Sequence, residues 1–426
     1  MSTDPAHSVT RRRVRLGGLC VLVVFALNGF LFANWFSRLP TVRDMLELDP
    51  STLGTILLFG AGGSLLSMPL TGLVVSRIGA RNTVLIGSGF AALGLAAAAT
   101  ATGAGTAVGL AAAMFFAMIG IGSWDVAMNF AGTRVEQGLR REIMPWFHGG
   151  FSLGTVGGAA AGTLATRADL AITTHLYIAA GLVWVLVAAF GIGFLREPAA
   201  VRARAKADAA DGGDAGPAQT DAVQVPWWKG WTERRTVLIG IVVLAAALTE
   251  GAANDWLALA VVDGFGVGND VGAFGFTIFV TAMTVMRFGG VLLLTWFSRV
   301  VVLRLCVGLA IVGLALFTLA PGLPLAMVGA VLWGLGAALG FPIGMSAASD
   351  EPERAAARLS VVSTIGYTAF LAGPPLLGLL ADYVGYRHAL LVIMVPLVIG
   401  FFVTHVAAPP KGSLPAAVEP EHAARD

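Results

Sequence analysis

Charge is scarce in this chain. Lys, Arg, Asp and Glu together make up 12% of its 426 residues, where soluble globular chains carry about 25%. That deficit excludes a cytosolic enzyme, a disordered protein and a nucleic-acid binder. There are only two cysteines, Cys20 and Cys306, each inside an apolar run, so neither a disulfide framework nor a metal-ligand spacing exists. The six histidines are scattered, with none four residues from another, which excludes an H-E-x-x-H metal site. No G-x-x-x-x-G-K-[ST] loop is present, so the chain does not carry its own ATP site.

Apolar residues fill the space that charge leaves. They form 57% of the chain, its mean hydropathy is +0.81, and 55 glycines accompany them, as expected where membrane helices approach closely. A bilayer-spanning helix takes about 20 apolar residues. Apolar stretches of that length recur at 15–36, 51–75, 83–101, 106–130, 145–165, 174–195, 236–259, 271–297, 303–320, 325–348, 361–380 and 388–405. The chain reads as an all-α polytopic membrane protein of twelve spans. The first stretch follows Arg11, Arg12, Arg13 and Arg15 and lacks a small-residue cleavage site after it, so it reads as a retained helix rather than a signal peptide.

Cations in the connections set the orientation. With the N-terminus inside, inner segments hold 22 of the 27 Lys and Arg, and outer segments hold Arg38, Arg43, Arg167 and Arg387. The termini are therefore expected in the cytoplasm and the protein in the plasma (inner) membrane. One connection, 196–235, is far longer than the rest. Its stretch DAADGGDAGPAQTDAV cannot bury a core and reads as a flexible linker. The expected organisation is a cytoplasmic tail at 1–14, a six-helix bundle at 15–195, the linker at 196–235, a second six-helix bundle at 236–405 and a cytoplasmic tail at 406–426.

The halves carry traces of duplication. At an offset of 216, Gly150, Phe151, Gly157 and Gly162 fall on Gly366, Tyr367, Gly373 and Gly378, and spans four and ten each carry a Gly-x-Gly pair. Two halves related by an axis along the membrane normal place a solute site between them near the midplane.

Between spans two and three the sequence reads GLVVSRIGAR. Gly72, Arg77, Gly79 and Arg81 resemble the signature loop of the major facilitator superfamily, with Ser76 where that family usually has aspartate. The resemblance implies that fold: two pseudo-symmetric six-helix bundles around a central cavity lined by spans one, four, seven and ten. It also implies transport by alternating access, with a functional monomer as the default.

Ionisable residues inside spans are the informative ones, each costing about 2.5–3.5 kcal/mol at a helix centre. They are Asp125, Glu250 and Arg287. Glu250 and Arg287 lie on adjacent spans at similar depth and are expected to pair, either as a structural neutralisation or as a charge pair that breaks during transport. Asp125 is then the better proton carrier. Asp125 with Asn129, and Glu250 with Asn254, are each four apart and share a helix face.

Asn28, Trp124, Asn129, Asn254, Trp333 and Tyr367 are the candidate solute contacts, with core packing the competing role for the tryptophans. Asn34, Arg38, His148 and Asp255 are candidates for gates or relays. Arg38 and Asp255 lie at predicted outer span ends, where snorkelling to the interface is the alternative. Seven tryptophans, Trp35, Trp146, Trp227, Trp228, Trp231, Trp256 and Trp296, sit near predicted interfaces.

The segment SWDVAMN, Ser123 to Asn129, is similar to the span-four arrangement of the fucose–proton symporter branch. Span five lacks the proline of the drug-efflux pattern. The reading is therefore a proton-coupled secondary transporter of a small, sugar-like solute, with proton-antiport export of drugs or metabolites as the alternative. A non-transporting sensor or an intramembrane enzyme is the minor alternative. The expected partners are the lipid bilayer, the solute and protons, with no cofactor beyond the proton gradient, no metal and no nucleic acid.

Overall fold

The structure is a computed structural model and describes residues 11–139, 143–195 and 229–409. No strand occurs among the described residues. The first half comprises α1 (Arg11–Phe36), α2 (Leu39–Leu46), α3 (Pro50–Ile78), α4 (Ala80–Gly103), α5 (Ala107–Leu139), α6 (Met144–Arg167) and α7 (Ile172–Gly191). The second comprises the short α8 (Lys229–Thr232), α9 (Arg234–Phe265), α10 (Asn269–Trp296), α11 (Arg299–Leu319), α12 (Leu323–Ala337), α13 (Gly340–Ala348), α14 (Pro352–Ala389) and α15 (Met394–Val403). Most of the expected 196–235 linker lies outside the described residues; at its end Lys229–Thr232 is a short helix, Glu233 is extended, and the next helix starts at Arg234.

Among the described residues, ten helical stretches are long and apolar enough to cross a membrane. The last of these, Ala357–Ala407, is 51 residues long and is turned back at Gly385, whose φ of 77° and ψ of 157° are not helical. It therefore makes two passes. α6 completes twelve. Its glycines, Ser152, Thr155 and Thr163 lower its hydropathy, because it meets protein along much of its length.

The packing repeats between the halves. α1 lies along α6 and α4 along α5, while α9 lies along α14 and α11 along α12. The halves meet where α3 touches α14 and where α6 touches α10. Close approach of α1 and α6 depends on glycine: a Cβ on Gly154 or Gly158 would collide with the carbonyls of Ala26 and Phe30. Two small residues four apart let backbones meet where side chains would hold them off. The result is the twelve-pass, two-bundle arrangement that the resemblance implies.

Several helices outrun the hydropathy pattern. α5 continues to Leu139 and α9 to Phe265, so Asp255 lies ten residues before the end of its helix rather than at it. Trp35 and Trp256, expected at interfaces, are each 1% exposed. Trp256 stacks on Tyr386 with ring centroids 5.6 Å apart. Neighbouring helices cover both rings, which a one-dimensional pattern does not report. Trp227 and Trp228 lie outside the described residues.

Candidate functional site

Glu250 on α9 and Arg287 on α10 meet between the bundles. One terminal nitrogen of Arg287 donates to both carboxylate oxygens of Glu250, each at 2.9 Å. The other terminal nitrogen lies 3.3 Å from the Ser152 hydroxyl on α6, in the opposite half. Arg287 Nε points to the Ala338 carbonyl at 3.4 Å, at the interruption between α12 and α13. A break in the helical ladder frees backbone carbonyls that must find donors, and here a guanidinium takes one of them. Both side chains of the pair remain about a quarter exposed, at 24% and 22%. The charge is paired without being sealed.

His148, one turn into α6, packs edge-on against Phe25 at 5.3 Å and lies within electrostatic reach of Arg287. Thr284, one turn before Arg287, donates to the Ser152 carbonyl at 3.3 Å. Arg287 is thus attached to its own half and to the opposite one.

Asp125 is half-buried midway along α5. Its charge reaches the Tyr367 phenol on α14, across the divide between the halves. No cation pairs with Asp125 among the described residues. Asn129, on the same face, donates to the Asp125 backbone carbonyl at 2.9 Å, leaving its own side-chain oxygen free of that bond. Asn254, on the face of Glu250, is half-buried, as is Asp255.

Other candidates are placed elsewhere. Trp124 and Trp333 are fully buried. Trp333 packs on Phe279 and Phe317, at 5.3 and 5.7 Å, and the backbone of Trp124 lies against Gly87. Both are core residues with no face open to a solute. Asn28 is 1% exposed and its amide nitrogen is unpartnered. Asn34 is buried and donates to the Phe30 carbonyl at 2.8 Å, inside its own helix.

Arg38 does not snorkel. It is 2% exposed, donating to the Thr166 hydroxyl and the Leu170 carbonyl, both at 2.9 Å. Those acceptors lie at the C-terminal end of α6, where the helix dipole is negative and a cation is favoured. Arg38 therefore ties α1 to α6. Asp255 does not reach an interface either, because α9 continues past it.

In the signature loop, Gly79 has φ 83° and ψ 156°, a backbone that only glycine adopts without strain. Gly72, by contrast, has nothing within 4 Å of where a Cβ would be, so close packing does not explain it. Arg77 is exposed, Arg81 keeps a buried unpartnered Nε, and the Ser76 hydroxyl bonds back to Leu73 at 2.8 Å.

Sequence reasoning missed a second cluster, at the end of the molecule away from the termini. Arg43 on α2 donates to both oxygens of Asp263 on α9, at 2.7 and 2.6 Å. Asp44 accepts from Asn269 on α10 at 2.8 Å, and Arg167 approaches Asp270 at 3.7 Å. The one signal available was that Arg43, Arg167 and Arg387 are cations on the side that has few.

Among the described residues, the Asp350 and Glu233 networks at the termini end lie within the second half. Asp350 is held by Arg235 and Arg299 at 2.8 and 2.7 Å, and Glu233 by Arg358 and Arg354 at 2.6 and 3.2 Å. Among the described residues, the ion pairs that cross between the halves lie at the end away from the termini, and the Glu250–Arg287 pair reaches Ser152 of the opposite half between the two ends.

Comparison with known proteins agrees with the fold. The family model described as Major Facilitator Superfamily matches residues 21–368 and 239–425. An uncharacterised transporter of Sinorhizobium fredii is 31% identical over 375 residues, covering 87% of this chain and 92% of that protein. A solved mutant of the nucleoside transporter NupG superposes with a TM-score of 0.73 at 15% identity, covering 92% of this chain and 99% of that one. The E. coli fucose:proton symporter FucP superposes with a TM-score of 0.57 at 14% identity, covering 93% and 100%. At those identities the solved structures speak to the fold.

Proposed function

This chain belongs to the major facilitator superfamily, a family of membrane transporters and not of enzymes, and on that premise we propose that it is a proton-coupled secondary transporter of a small organic solute. The carrying observation is Asp125: a half-buried carboxylate midway through a membrane helix, without a cation partner among the described residues. An unpaired carboxylate there is costly as an anion. A proton or a solute donor neutralises it, and which one is present then biases the two halves.

Glu250 is in a different situation, since Arg287 compensates it on both oxygens. Its role in this reading is solute binding or a charge switch. Asn254, Asn129 and Tyr367 supply hydrogen-bonding groups around the two carboxylates. A sugar-like solute is supported by the Ser123–Asn129 segment and by the hydroxylated solutes in the names of the nucleoside and fucose transporters. The inner-membrane location, the cytoplasmic termini and a working monomer belong to the same proposal, with no cofactor other than the proton gradient.

The test is solute-dependent proton movement in proteoliposomes, screened over sugars, nucleosides, organic acids and lipophilic cations. Alkalinisation of the medium on adding a sugar or nucleoside is the expected result. Proton release driven by lipophilic cations would replace symport by antiport export. Asp125→Asn is expected to abolish proton movement. Proton-coupled uptake that survives this substitution would overturn the assignment of Asp125.

A further inference from the structure

The end of the molecule away from the termini is shut by a device built around one arginine. α2 is only eight residues long and is not itself a span. It starts with Pro40 in its first turn and stops at Glu47, in left-handed conformation with φ 49°. It carries Arg43 to the divide between the halves. There Arg43 Nη1 donates to both Asp263 oxygens, Nε donates to Asp44 at 2.8 Å, and the guanidinium lies 5.7 Å from the centre of the Tyr386 ring. Its side chain is 13% exposed. A planar cation with one edge on a carboxylate and its face over an aromatic ring uses both modes of binding open to guanidinium.

The seat it closes on has the same residue pattern as the signature loop. Residues 378–387 read GLLADYVGYR, and residues 72–81 read GLVVSRIGAR. Both have Gly, then Gly seven residues later, then Arg two beyond that. The turning glycines adopt nearly the same backbone, φ 83° and ψ 156° at Gly79 against φ 77° and ψ 157° at Gly385. One turn joins the second and third spans at the termini end. The other joins the last two spans at the opposite end and presents Tyr386 to Arg43. The opposite-end turn has an acidic residue, Asp382, where the first has Ser76.

We propose that Arg43, set between Asp263 and Tyr386, is a latch that holds this end of the transporter closed, with the Gly378–Arg387 turn as its seat. The proposal rests on the alternating-access reading of the fold. Asp44 makes the latch reversible: when the halves part, Arg43 keeps a carboxylate on its own helix. Asp263, already 40% exposed, hydrates at the end of α9. Opening therefore strands no buried charge, the event that makes broken ion pairs costly. The Asp44–Asn269 and Arg167–Asp270 contacts flank the same seam.

The test uses a reporter that needs no solute. With Cys20 and Cys306 replaced by Ala, Tyr367→Cys places a thiol between the halves, and an impermeant methanethiosulfonate is added from either face of oriented vesicles. Asp263→Asn and Arg43→Gln are expected to speed labelling from the face opposite the termini by about fivefold or more, the scale of a modest coupling energy. Labelling from the termini face should slow. Arg43→Asp combined with Asp263→Arg is expected to return both rates toward the parent, which a purely structural loss would not do. If Arg43→Gln fails to fold, Asp263→Asn decides alone, because it leaves the Arg43–Asp44 pair intact. Rates within twofold of the parent from both faces would overturn the latch. A shifted labelling pattern in a chain that moves no solute would instead overturn the transport reading and leave the latch standing.

Discussion

Glu250 and Asp125 are both carboxylates in mid-membrane helices, yet their surroundings give them different work. Glu250 has a guanidinium on both oxygens, whereas no cation pairs with Asp125 among the described residues. Removing one member of a buried ion pair strands the other. Glu250→Gln or Arg287→Met alone should therefore cost about 2 kcal/mol, less than a sealed pair because both are partly exposed. The double variant should cost less than either single one, as thermal unfolding in detergent would show. Trp333 makes a contrasting case. With Phe279 and Phe317 against its ring, Trp333→Ala should cost about 3–5 kcal/mol in the same assay. Trp333→Phe should leave solute affinity unchanged, since the ring meets only protein. The sequence supplied the intramembrane carboxylates and the arginine from their cost in lipid. It could not separate a cavity-facing indole from a core one, because both occupy apolar helices.

At the scale of elements, contacts between helices decide what each segment does. α3 approaches α14 so closely that a Cβ on Gly54 would lie 2.6 Å from the Pro374 carbonyl, and one on Gly378 would lie 2.5 Å from that of Pro50. Backbone cannot yield as a side-chain tip can. Gly54→Val should thus keep the seam from closing, cost about 1–3 kcal/mol and raise thiol labelling from the face opposite the termini. At the other end, Glu233 joins the start of α9 to α14. Burial raises its pKa, but hydrogen bonds from Arg358 and Thr236 and the charges of Arg358 and Arg354 outweigh that and hold its carboxyl below the usual value. A depressed folded-state pKa contributes stability that is complete above the ordinary value of 4.5 and is lost as pH falls through the folded one. Melting measured from pH 7 to pH 3 should fall less steeply for Glu233→Gln than for the parent. The helix count was legible from apolar run lengths. The interruption after Ala337 and the extension of α9 beyond Asp255 were not, because hydropathy stays high through both.

For the whole molecule, an even number of passes puts both termini on one side, and the excess of Lys and Arg there is the ground for proposing that this side is the cytoplasm. A protease-cleavable tag at either terminus should be cut only in inverted vesicles, whereas one inserted at Gly105 or Gly266 should be cut only in right-side-out vesicles. By itself the sequence determined the membrane class, the twelve passes, the duplicated halves and the ionisable residues buried in lipid-length helices. All of these follow from transfer free energy, which sums along a chain without reference to neighbours. Only the tertiary structure decided which of those residues meet. It set Arg287 between Glu250, Ser152 and a carbonyl of the interrupted helix, turned Trp124 and Trp333 into core, and brought Arg43 onto Asp263 and Tyr386, more than two hundred residues away. Those pairings depend on which helix faces pack together, and side-chain shape at the close approaches sets that.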